Sequence, residues 1–332
     1  MALKTPYLMF LGDAPDQLAA KTAGGVVHWR PDICIGQLRL PGCNADLGLQ
    51  DMDLEAAAKA GAKTVIVGVA NRGGVIGPSW IEQLVRACEL GFDIASGLHA
   101  KLTDVPAIAE AAAKFGRTLT DARHPTRAFD VANGKKRPGK RLLPVGTDCS
   151  VGKMYTALAL EREMQGRCMK ATFRATGQTG IFIAGSGVSV DAVVADFISG
   201  ATEWLAPAND PDHWDLVEGQ GSLFHASYAG VSLGLLHGAQ PDALVLCHEP
   251  TRKHMRGLPD FPLPGLKECI AANEQAARLT NPAAKCIGVS VDTHNMPAGE
   301  GLKYLAKVEV ELGLPAVDPV VTGVARLVDN LP

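Results

Sequence analysis

The sequence predicts an α/β protein of two domains, each built around a parallel sheet. Its 332 residues exceed the length of one typical domain, and in both halves short apolar runs alternate with segments of helical spacing. Parallel strands need long crossover connections, so this alternation is typical of a parallel sheet. A basic, turn-rich stretch at residues 133–141 predicts a solvated linker, and we place the domains at residues 1–136 and 137–332.

Strand and helix signals alternate through the first half of the chain. The strand candidates are residues 7–11, 64–69, 92–94 and 118–119. The helix candidates are residues 54–60, 80–90 and 106–115. Gly61, Gly91 and Gly116 each follow a predicted helix, where a left-handed C-terminal cap favours glycine. The first half therefore predicts a doubly wound parallel sheet.

The same kind of alternation continues in the second half, without an internal repeat. The strand candidates are residues 142–145, 168–174, 216–218, 243–247 and 286–291. The helix candidates are residues 153–165, 191–198 and 266–279. These signals predict a second α/β domain with its own parallel sheet.

The composition excludes several function classes. A formal net charge of -3 without long like-charge runs argues against nucleic-acid and anionic-membrane partners. The eight cysteines form no CxxC pair and no zinc-ligand spacing, so we expect reduced thiols and no bound metal. The first residues lack a signal-peptide pattern and no stretch has the length to span a bilayer, which predicts a cytoplasmic protein.

One loop carries the strongest chemical signal in the chain. Residues 142–153 run from an apolar strand through a glycine-bounded loop into a helix. In this context backbone N–H groups, the helix N-terminus and a lysine together hold phosphate. The loop residues are Gly146, Thr147, Asp148, Cys149, Ser150, Val151, Gly152, Lys153 and Met154. The alternative is an ordinary strand-to-helix turn that contains glycine and lysine by chance.

The loop departs in two ways from the common nucleoside-triphosphate pattern. Five residues separate Gly146 from Gly152, where that pattern has four. Met154 follows the lysine in place of the Ser or Thr that binds Mg²⁺, and a thioether is a poor ligand for this hard cation. Thr156 lies about 300° round the helix from Lys153, which makes it a poor substitute. The loop therefore predicts phosphate binding but puts Mg²⁺-dependent transfer of a γ-phosphate in doubt.

Two segments resemble dethiobiotin synthetase and its relatives. The first is Gly146-Thr147-Asp148 followed by Val151-Gly152-Lys153, and the second is the stretch VEGQGSL at residues 217–223. The resemblance implies a related P-loop domain over about residues 139 to 332. In that superfamily the glutamate of the second segment, here Glu218, approaches metal and substrate.

A closer resemblance covers nearly the whole chain. It is carried by GTDCSVGKM at residues 146–154, FRATGQTG at 173–180, DAVVADF at 191–197 and EGQGS at 218–222. These motifs resemble a two-domain bacterial family, long of unknown function and sometimes labelled epimerase or dehydratase. Some of its members are D-glutamate N-acetyltransferases of the DgcN type.

This second resemblance implies a fold and a reaction. The fold is an N-terminal Rossmann-like domain followed by a C-terminal P-loop domain. The reaction is acetyl transfer from acetyl-CoA to a D-amino acid, D-glutamate above all, in D-amino acid catabolism. Coenzyme A carries a diphosphate and a 3′-phosphate, so a loop that binds phosphate without placing Mg²⁺ is compatible with this donor.

Amide formation from an amine and a thioester needs a base and donors for the oxyanion. Glu218, at the carboxyl edge of the predicted sheet, is our first candidate for the base, and a metal-ligand or loop-bracing role is the alternative. His225 is a second proton-transfer candidate or a structural histidine. Asp191 is preferred to Asp196, which lies about 140° away on a helix, although Asp191 could equally cap that helix. An acetyl-cysteine intermediate at Cys149 is conceivable, because a helix N-terminus and Lys153 lower a thiol pKa.

A substrate with two carboxylates favours arginine side chains that bind them in pairs. The substrate-binding candidates are Arg72, Arg174, Gln178, Thr179, Ser222 and Arg252. His254 is a rival beside Arg252. For each arginine the alternative is simple surface solvation. Gln178 and Thr179 could instead only form their turn.

Four functions remain open from the sequence. The leading one is a D-amino acid N-acetyltransferase with two small-molecule substrates, in a homo-oligomer. An ATP- and Mg²⁺-dependent synthetase or kinase is the main alternative, and a non-catalytic nucleotide or CoA sensor is a third. An NAD-dependent epimerase is the weakest, because Gly12 stands alone after the first strand where a G-x-G-x-x-G pattern is needed.

Overall fold

The computed structural model describes residues 2–69 and 74–332. It divides into two compact units, a first unit of Met1–Thr126 with Gly177–Ala192 and a second unit of Arg127–Thr176 with Val193–Pro332. The two domains predicted from the sequence, with a boundary at residue 136, are continuous, whereas residues 177–192 return to the first unit. The domain assignment itself stays a prediction. None of the described helices combines the length and apolar character needed to cross a membrane.

The first unit contains a five-stranded sheet in the order β2-β1-β3-β4-β5, with every pair of neighbours parallel. The strands are β1 (Tyr7–Gly12), β2 (Cys34–Arg39), β3 (Thr64–Val67), β4 (Asp93–Ser96) and β5 (Leu119–Asp121). The helices are α1 (Lys21–Trp29), α2 (Leu54–Lys59), α3 (Pro78–Glu89) and α4 (Pro106–Phe115). The predicted alternation is therefore confirmed. The sequence analysis missed α1 and β2, because glycines at 24, 25 and 36 weaken their helix and strand signals.

The core of the first unit forms where buried strands meet apolar helix faces. All six residues of β1 are buried, as expected of a parallel strand covered on both sides. Phe10 of β1 packs edge-on against Trp80 of α3, with ring centroids 5.4 Å apart. Gly116 ends α4 with φ at 63°, so the predicted left-handed cap is present there.

The second unit contains a six-stranded parallel sheet in the order β13-β12-β9-β6-β8-β7. Its first elements are β6 (Lys140–Gly146), α5 (Lys153–Gly166) and β7 (Ala171–Arg174), after which the chain forms α6 (Gln178–Ala184) in the first unit. The later elements are α7 (Ile198–Leu205), β8 (Trp214–Val217), α8 (Ala229–Ala239), β9 (Ala243–His248), β10 (His254–Met255), β11 (Leu258–Pro262), α9 (Leu266–Arg278), β12 (Lys285–Val291), α10 (Glu300–Leu312), β13 (Ala316–Val317) and α11 (Ala325–Asp329). Strands β10 and β11 form a small antiparallel hairpin outside the main sheet.

The helix predicted at residues 191–198 is wrong. Two short 3-10 turns, Val190–Ala192 and Ala195–Phe197, occupy this stretch, and α7 begins only at its end. Val194 is extended, with φ at -56° and ψ at 137°. Adjacent β-branched valines disfavour a helix, and the chain passes here from the first unit to the second.

The linker predicted at residues 133–141 lies inside the second unit, and although residues 133–136 are exposed as predicted, two of its arginines bind to that unit. Arg137 donates to the carbonyl oxygen of Ala206 at 2.9 Å and to that of Gly238 at 2.8 Å. These carbonyls lie at the C-terminal ends of α7 and α8, where helices leave acceptors unpaired. Arg141 is fully buried and donates to the carbonyl oxygen of Pro138 at 2.9 Å. The composition resembles that of a linker, but Arg137 donates to two helix ends that only the fold brings near it.

We expect Arg137→Ala to lower the free energy of unfolding by about 2–3 kcal/mol, because charged hydrogen bonds to buried carbonyls are lost. Urea unfolding followed by circular dichroism measures this change. Lys135→Ala, at an exposed position of the same segment, is the control and should change stability by less than about 0.5 kcal/mol. Equal midpoints for the two variants would contradict the capping role.

Candidate functional site

The predicted phosphate loop lies at the carboxyl end of β6 and leads directly into α5. Strand β6 lies between β8 and β9, and the chain builds further strands on both sides of it. The carboxyl end of such a strand is a topological switch point, where open parallel sheets bind their ligands. The predicted order of strand, loop and helix is thus confirmed, and the fold places this loop where a ligand is expected.

The backbone of this loop is shaped to receive an anion. Ser150 and Gly152 adopt left-handed φ angles of 52° and 89°. Among the described residues, no acceptor takes a hydrogen bond from the backbone N–H groups of residues 150–153. Successive N–H groups in such alternating conformations form a concave nest for anionic oxygens, and the N-terminus of α5 adds partial positive charge.

Asp148 is a fully buried carboxylate within the loop. Its Oδ1 accepts the N–H of Cys149 at 2.6 Å. Its Oδ2 accepts the N–H of Arg256 at 2.8 Å and the Nη1 group of Arg252 at 2.6 Å. A buried charge needs such partners. Asp148 therefore ties the phosphate loop to the segment that follows β9.

Arg252, a predicted substrate ligand, is used here to shape the loop. Besides Asp148, its guanidinium donates to the carbonyl oxygens of Cys149 at 2.6 Å and Ser150 at 3.0 Å. Glu249 lies 3.6 Å from its Nε. Because two successive carbonyls are held by the arginine, the loop backbone is fixed in one orientation.

Lys153 and Arg256 add two further cations at the loop. The buried ammonium of Lys153 donates to the carbonyl oxygen of Asp148 at 2.8 Å, and burial lowers the pKa of Lys153. Arg256 lies at the turn of the β10–β11 hairpin and donates from Nη1 to the hydroxyl of Ser150. Sequence reasoning missed Arg256, although the basic stretch TRKHMR at residues 251–256, directly after a strand, was the available signal.

The thiol of Cys149 does not match the conditions predicted for a nucleophile. Burial raises its pKa, and this outweighs the lowering by Lys153. The expectation of a lowered thiol pKa was therefore wrong, because it counted the nearby cation and not the desolvation.

Asp148, Cys149 and His225 offer ligand atoms within 4.8 Å of one another, as a metal site would. However, Oδ2 of Asp148 already accepts the guanidinium of Arg252. A second guanidinium, that of Arg256, contacts the same loop. Because positive groups surround this cluster, it favours an anion over a metal cation.

His225 lies just before α8 and is almost completely buried. Its Nε2 is 3.0 Å from the carbonyl oxygen of Arg256, which can only accept, so Nε2 carries the proton and donates. Its Nδ1 accepts the N–H of Ser227 at 3.2 Å. Both ring nitrogens are engaged, and the contacts favour the structural alternative, in which His225 supports the hairpin.

Glu218 directly follows β8, at the same edge of the sheet as the loop. Its carboxylate is buried, and Oε2 accepts the N–H of Thr176 at 2.8 Å. A Cβ on Gly219 would lie 1.8 Å from the carbonyl oxygen of Pro144 and 3.0 Å from Cδ of Lys153. Glycine at 219 therefore lets the end of β8 approach β6 and the side chain of Lys153 closely.

The other predicted residues of the second unit have structural contacts. Arg174, at the end of β7, donates from Nε to the buried carboxylate of Asp215 at 2.8 Å. The hydroxyl of Ser222 is buried and accepts the N–H of Phe224 at 3.2 Å. His254 is an exposed residue of β10. These contacts assign none of the three to a ligand.

Four predicted candidates do not belong to the second unit as described. Gln178 and Thr179 begin α6 in the first unit, and Asp191 lies there in a 3-10 turn. Asp191 forms an ion pair with Arg123 at 3.6 Å. Arg72 lies outside the described residues. Their roles stay predictions.

Two residues at the carboxyl end of β9 were missed by the sequence analysis. His248 is buried, and its Nδ1 is 3.0 Å from the hydroxyl of Thr147 in the loop. Glu249, also buried, accepts the N–H and hydroxyl of Thr251 at 2.9 and 2.6 Å. The signal was two polar residues directly after the apolar run at 243–247. Thr147 thus attaches the loop to the end of β9, in addition to the attachment of Asp148 to the segment after β9.

The chain is similar to known proteins over almost its whole length. Residues 38–125 match the Rossmann-like domain DUF1611_N and residues 130–328 match the P-loop domain DUF1611_C, both described as domains of unknown function. A D-glutamate N-acetyltransferase of Tritonibacter scottomollicae is 59% identical over 329 residues, which cover 99% of each chain. A second, of Pseudoalteromonas sp, is 49% identical over 331 residues and covers 100% of each.

One solved structure resembles the chain over its full length. It is a DUF1611 family protein of Anabaena variabilis, with a TM-score of 0.84 and 28% identity, and the match covers 98% of this chain and 99% of that one. These comparisons confirm the predicted combination of a Rossmann-like and a P-loop domain, and the family resemblance drawn from the motifs.

We expect Asp148→Asn to lower the free energy of unfolding by about 3 kcal/mol, because Arg252 loses its buried counter-charge. Urea denaturation measures the change. Asp212→Asn is the matched control, since Asp212 pairs with Lys170 at the surface and such pairs contribute about 1 kcal/mol or less. An equal loss of stability in both variants would show that the ion pair of Asp148 with Arg252 does not stabilise the loop more than a surface pair does.

His248 should make the protein less stable as the pH falls. Burial lowers its pKa from 6.5 to about 4, so below pH 6.5 the unfolded chain binds a proton that the folded chain refuses. Stability is therefore complete above pH 6.5 and is lost as the pH falls toward 4, by about 2 kcal/mol between pH 7 and 5. Urea unfolding at pH 7 and pH 5 measures the loss of stability between these values. This loss should be smaller by about 2 kcal/mol in His248→Gln than in the wild-type protein. It should be unchanged in the control His294→Gln, at an exposed position. An unchanged loss in His248→Gln would contradict this assignment.

Proposed function

The chain belongs to the DUF1611 family, and from this premise we propose that it transfers the acetyl group of acetyl-CoA to the amino group of D-glutamate, in D-amino acid catabolism. Two relatives that match over almost the whole chain are D-glutamate N-acetyltransferases, which supports the same reaction here. A cytoplasmic location and a homo-oligomeric state remain predictions from the sequence.

The observation that carries the choice of donor is the loop with its three cations. Residues 146–153 present backbone N–H groups beside Lys153, Arg252 and Arg256. Coenzyme A brings a diphosphate that such groups can bind. We assign the loop to the phosphates of acetyl-CoA.

The reaction requires the substrate amine to lose a proton as its nitrogen attacks the acetyl carbonyl. The new C–N bond forms, the C–S bond breaks, and the CoA thiolate leaves and takes up a proton. Glu218 is the candidate base, because its carboxylate is buried at the sheet edge and carboxylates in such places act as proton acceptors. Since Glu218 lies beside the phosphate loop, this role requires the pantetheine arm to fold back along the edge.

The residues that would bind the two carboxylates of D-glutamate are those predicted from the sequence, less the two arginines that hold buried carboxylates. Arg174 and Arg252 already hold Asp215 and Asp148, so we assign neither to the glutamate carboxylates. Arg72, Gln178, Thr179 and Ser222 remain the predicted ligands. Position 154 offers no hydroxyl for a metal, which argues against the Mg·ATP alternative.

Purified protein should release CoA thiol from acetyl-CoA when D-glutamate is present. Glu218→Gln should lower kcat about 100-fold or more, the usual loss when a general base is removed, and leave the KM for acetyl-CoA within about threefold. Thiol release measured with a chromogenic reagent tests both statements. Glu268→Gln, an exposed residue of α9, is the control and should retain full activity. No thiol release with any D-amino acid would refute the proposal, and full kcat in Glu218→Gln would refute the role of Glu218.

A further inference from the structure

We propose that Arg256, held in place together with Arg252, binds the donor diphosphate directly and replaces the Mg²⁺ ion that nucleoside-triphosphate loops use. The inference rests on the proposed function for the identity of the ligand. It predicts that the phosphates of the donor bind at this site without a metal ion.

The start of α5 does not supply the hydroxyl with which nucleoside-triphosphate loops bind Mg²⁺. Met154 offers only a thioether where Mg²⁺ needs a hydroxyl. The hydroxyl of Thr156 donates to the carbonyl oxygen of Gly152 at 3.0 Å and lies 2.7 Å from that of Ser290, both on the buried side of α5. The hydroxyl of Thr156, the substitute for the missing hydroxyl at position 154, is therefore already hydrogen-bonded within the protein.

Arg256 combines a fixed backbone with an available side chain. Asp148 accepts its N–H at 2.8 Å and His225 donates to its carbonyl oxygen at 3.0 Å, so two buried side chains hold its position. Its side chain is exposed and, among the described residues, forms no ion pair with a carboxylate; its Nη1 contacts only the hydroxyl of Ser150. A planar guanidinium fixed beside the open N–H groups can bind two phosphate oxygens at once.

Arg252 serves a different purpose, as a positioning residue. Its guanidinium is bound to Asp148 and to the carbonyl oxygens of Cys149 and Ser150. It thereby keeps the following N–H groups in the orientation that the diphosphate needs. Arg256 contacts the ligand, and Arg252 keeps the loop in the shape that the ligand requires.

Calorimetric titration of the full chain in EDTA tests the proposal, with CoA and inorganic pyrophosphate as probes. Wild-type protein should bind CoA in EDTA, and adding Mg²⁺ should change the Kd less than twofold. Arg256→Met should weaken CoA binding at least tenfold. Lys253→Met, an exposed cation three residues away, should change it less than twofold. Equal binding by the two variants, or a requirement for Mg²⁺, would overturn the proposal.

Kinetics separate this inference from the proposed function. Arg256→Met should raise the KM for acetyl-CoA at least tenfold but leave the rate with S-acetyl-pantetheine, which has no diphosphate, unchanged. Arg252→Lys should raise the same KM with kcat kept, because it disturbs the loop and not the reacting atoms. Metal-free CoA binding that depends on Arg256, without any turnover, would support the inference and refute the acetyl transfer. Turnover with an unchanged KM in Arg256→Met would refute the inference alone.

Discussion

The candidate site depends on one buried ion pair, that of Asp148 with Arg252. Asp148 is fully buried, and its Oδ2 accepts two donors from the segment that follows β9, the guanidinium of Arg252 and the backbone N–H of Arg256. Because breaking a buried ion pair costs about 3–5 kcal/mol, the loss of one of these contacts weakens the others. The loop shape, the position of Arg252 and the attachment of the β10–β11 hairpin are therefore one cooperative arrangement.

The sheet topology adds a second constraint at the same edge. The loop follows β6, His248 ends β9 and Glu249 follows it, and Glu218 follows β8. Because neighbouring parallel strands end at one edge, the predicted phosphate loop and the buried carboxylates of Glu218 and Glu249 lie at the same edge of the sheet. Gly219 permits this closeness, since a Cβ there would lie 1.8 Å from the carbonyl oxygen of Pro144. The proposed phosphate-binding and proton-accepting roles thus belong to one edge of the sheet.

Much of the fold could be predicted because its signals are local. Alternating strand and helix patterns, glycine caps and the loop between β6 and α5 all follow from neighbouring residues. The two fold predictions that were wrong, in whole or in part, concern stretches whose structure depends on residues far away in the chain. The stretch 191–198 was predicted to be a helix but carries the passage between the units, and Arg137 of the predicted linker at 133–141 caps α7 and α8. In both, distant parts of the chain decided the outcome.

The sequence by itself determined the two α/β domains, the phosphate loop and the unsuitability of position 154 for Mg²⁺, because each depends on consecutive residues and backbone geometry. The tertiary structure decided which side chains surround the loop. Arg252 is 104 residues from Asp148 and Arg256 is 108, and no spacing rule connects them. The same burial that raised the pKa of Cys149 also required a partner for Asp148. Desolvation depends on what packs around a group, and only the folded chain determines that.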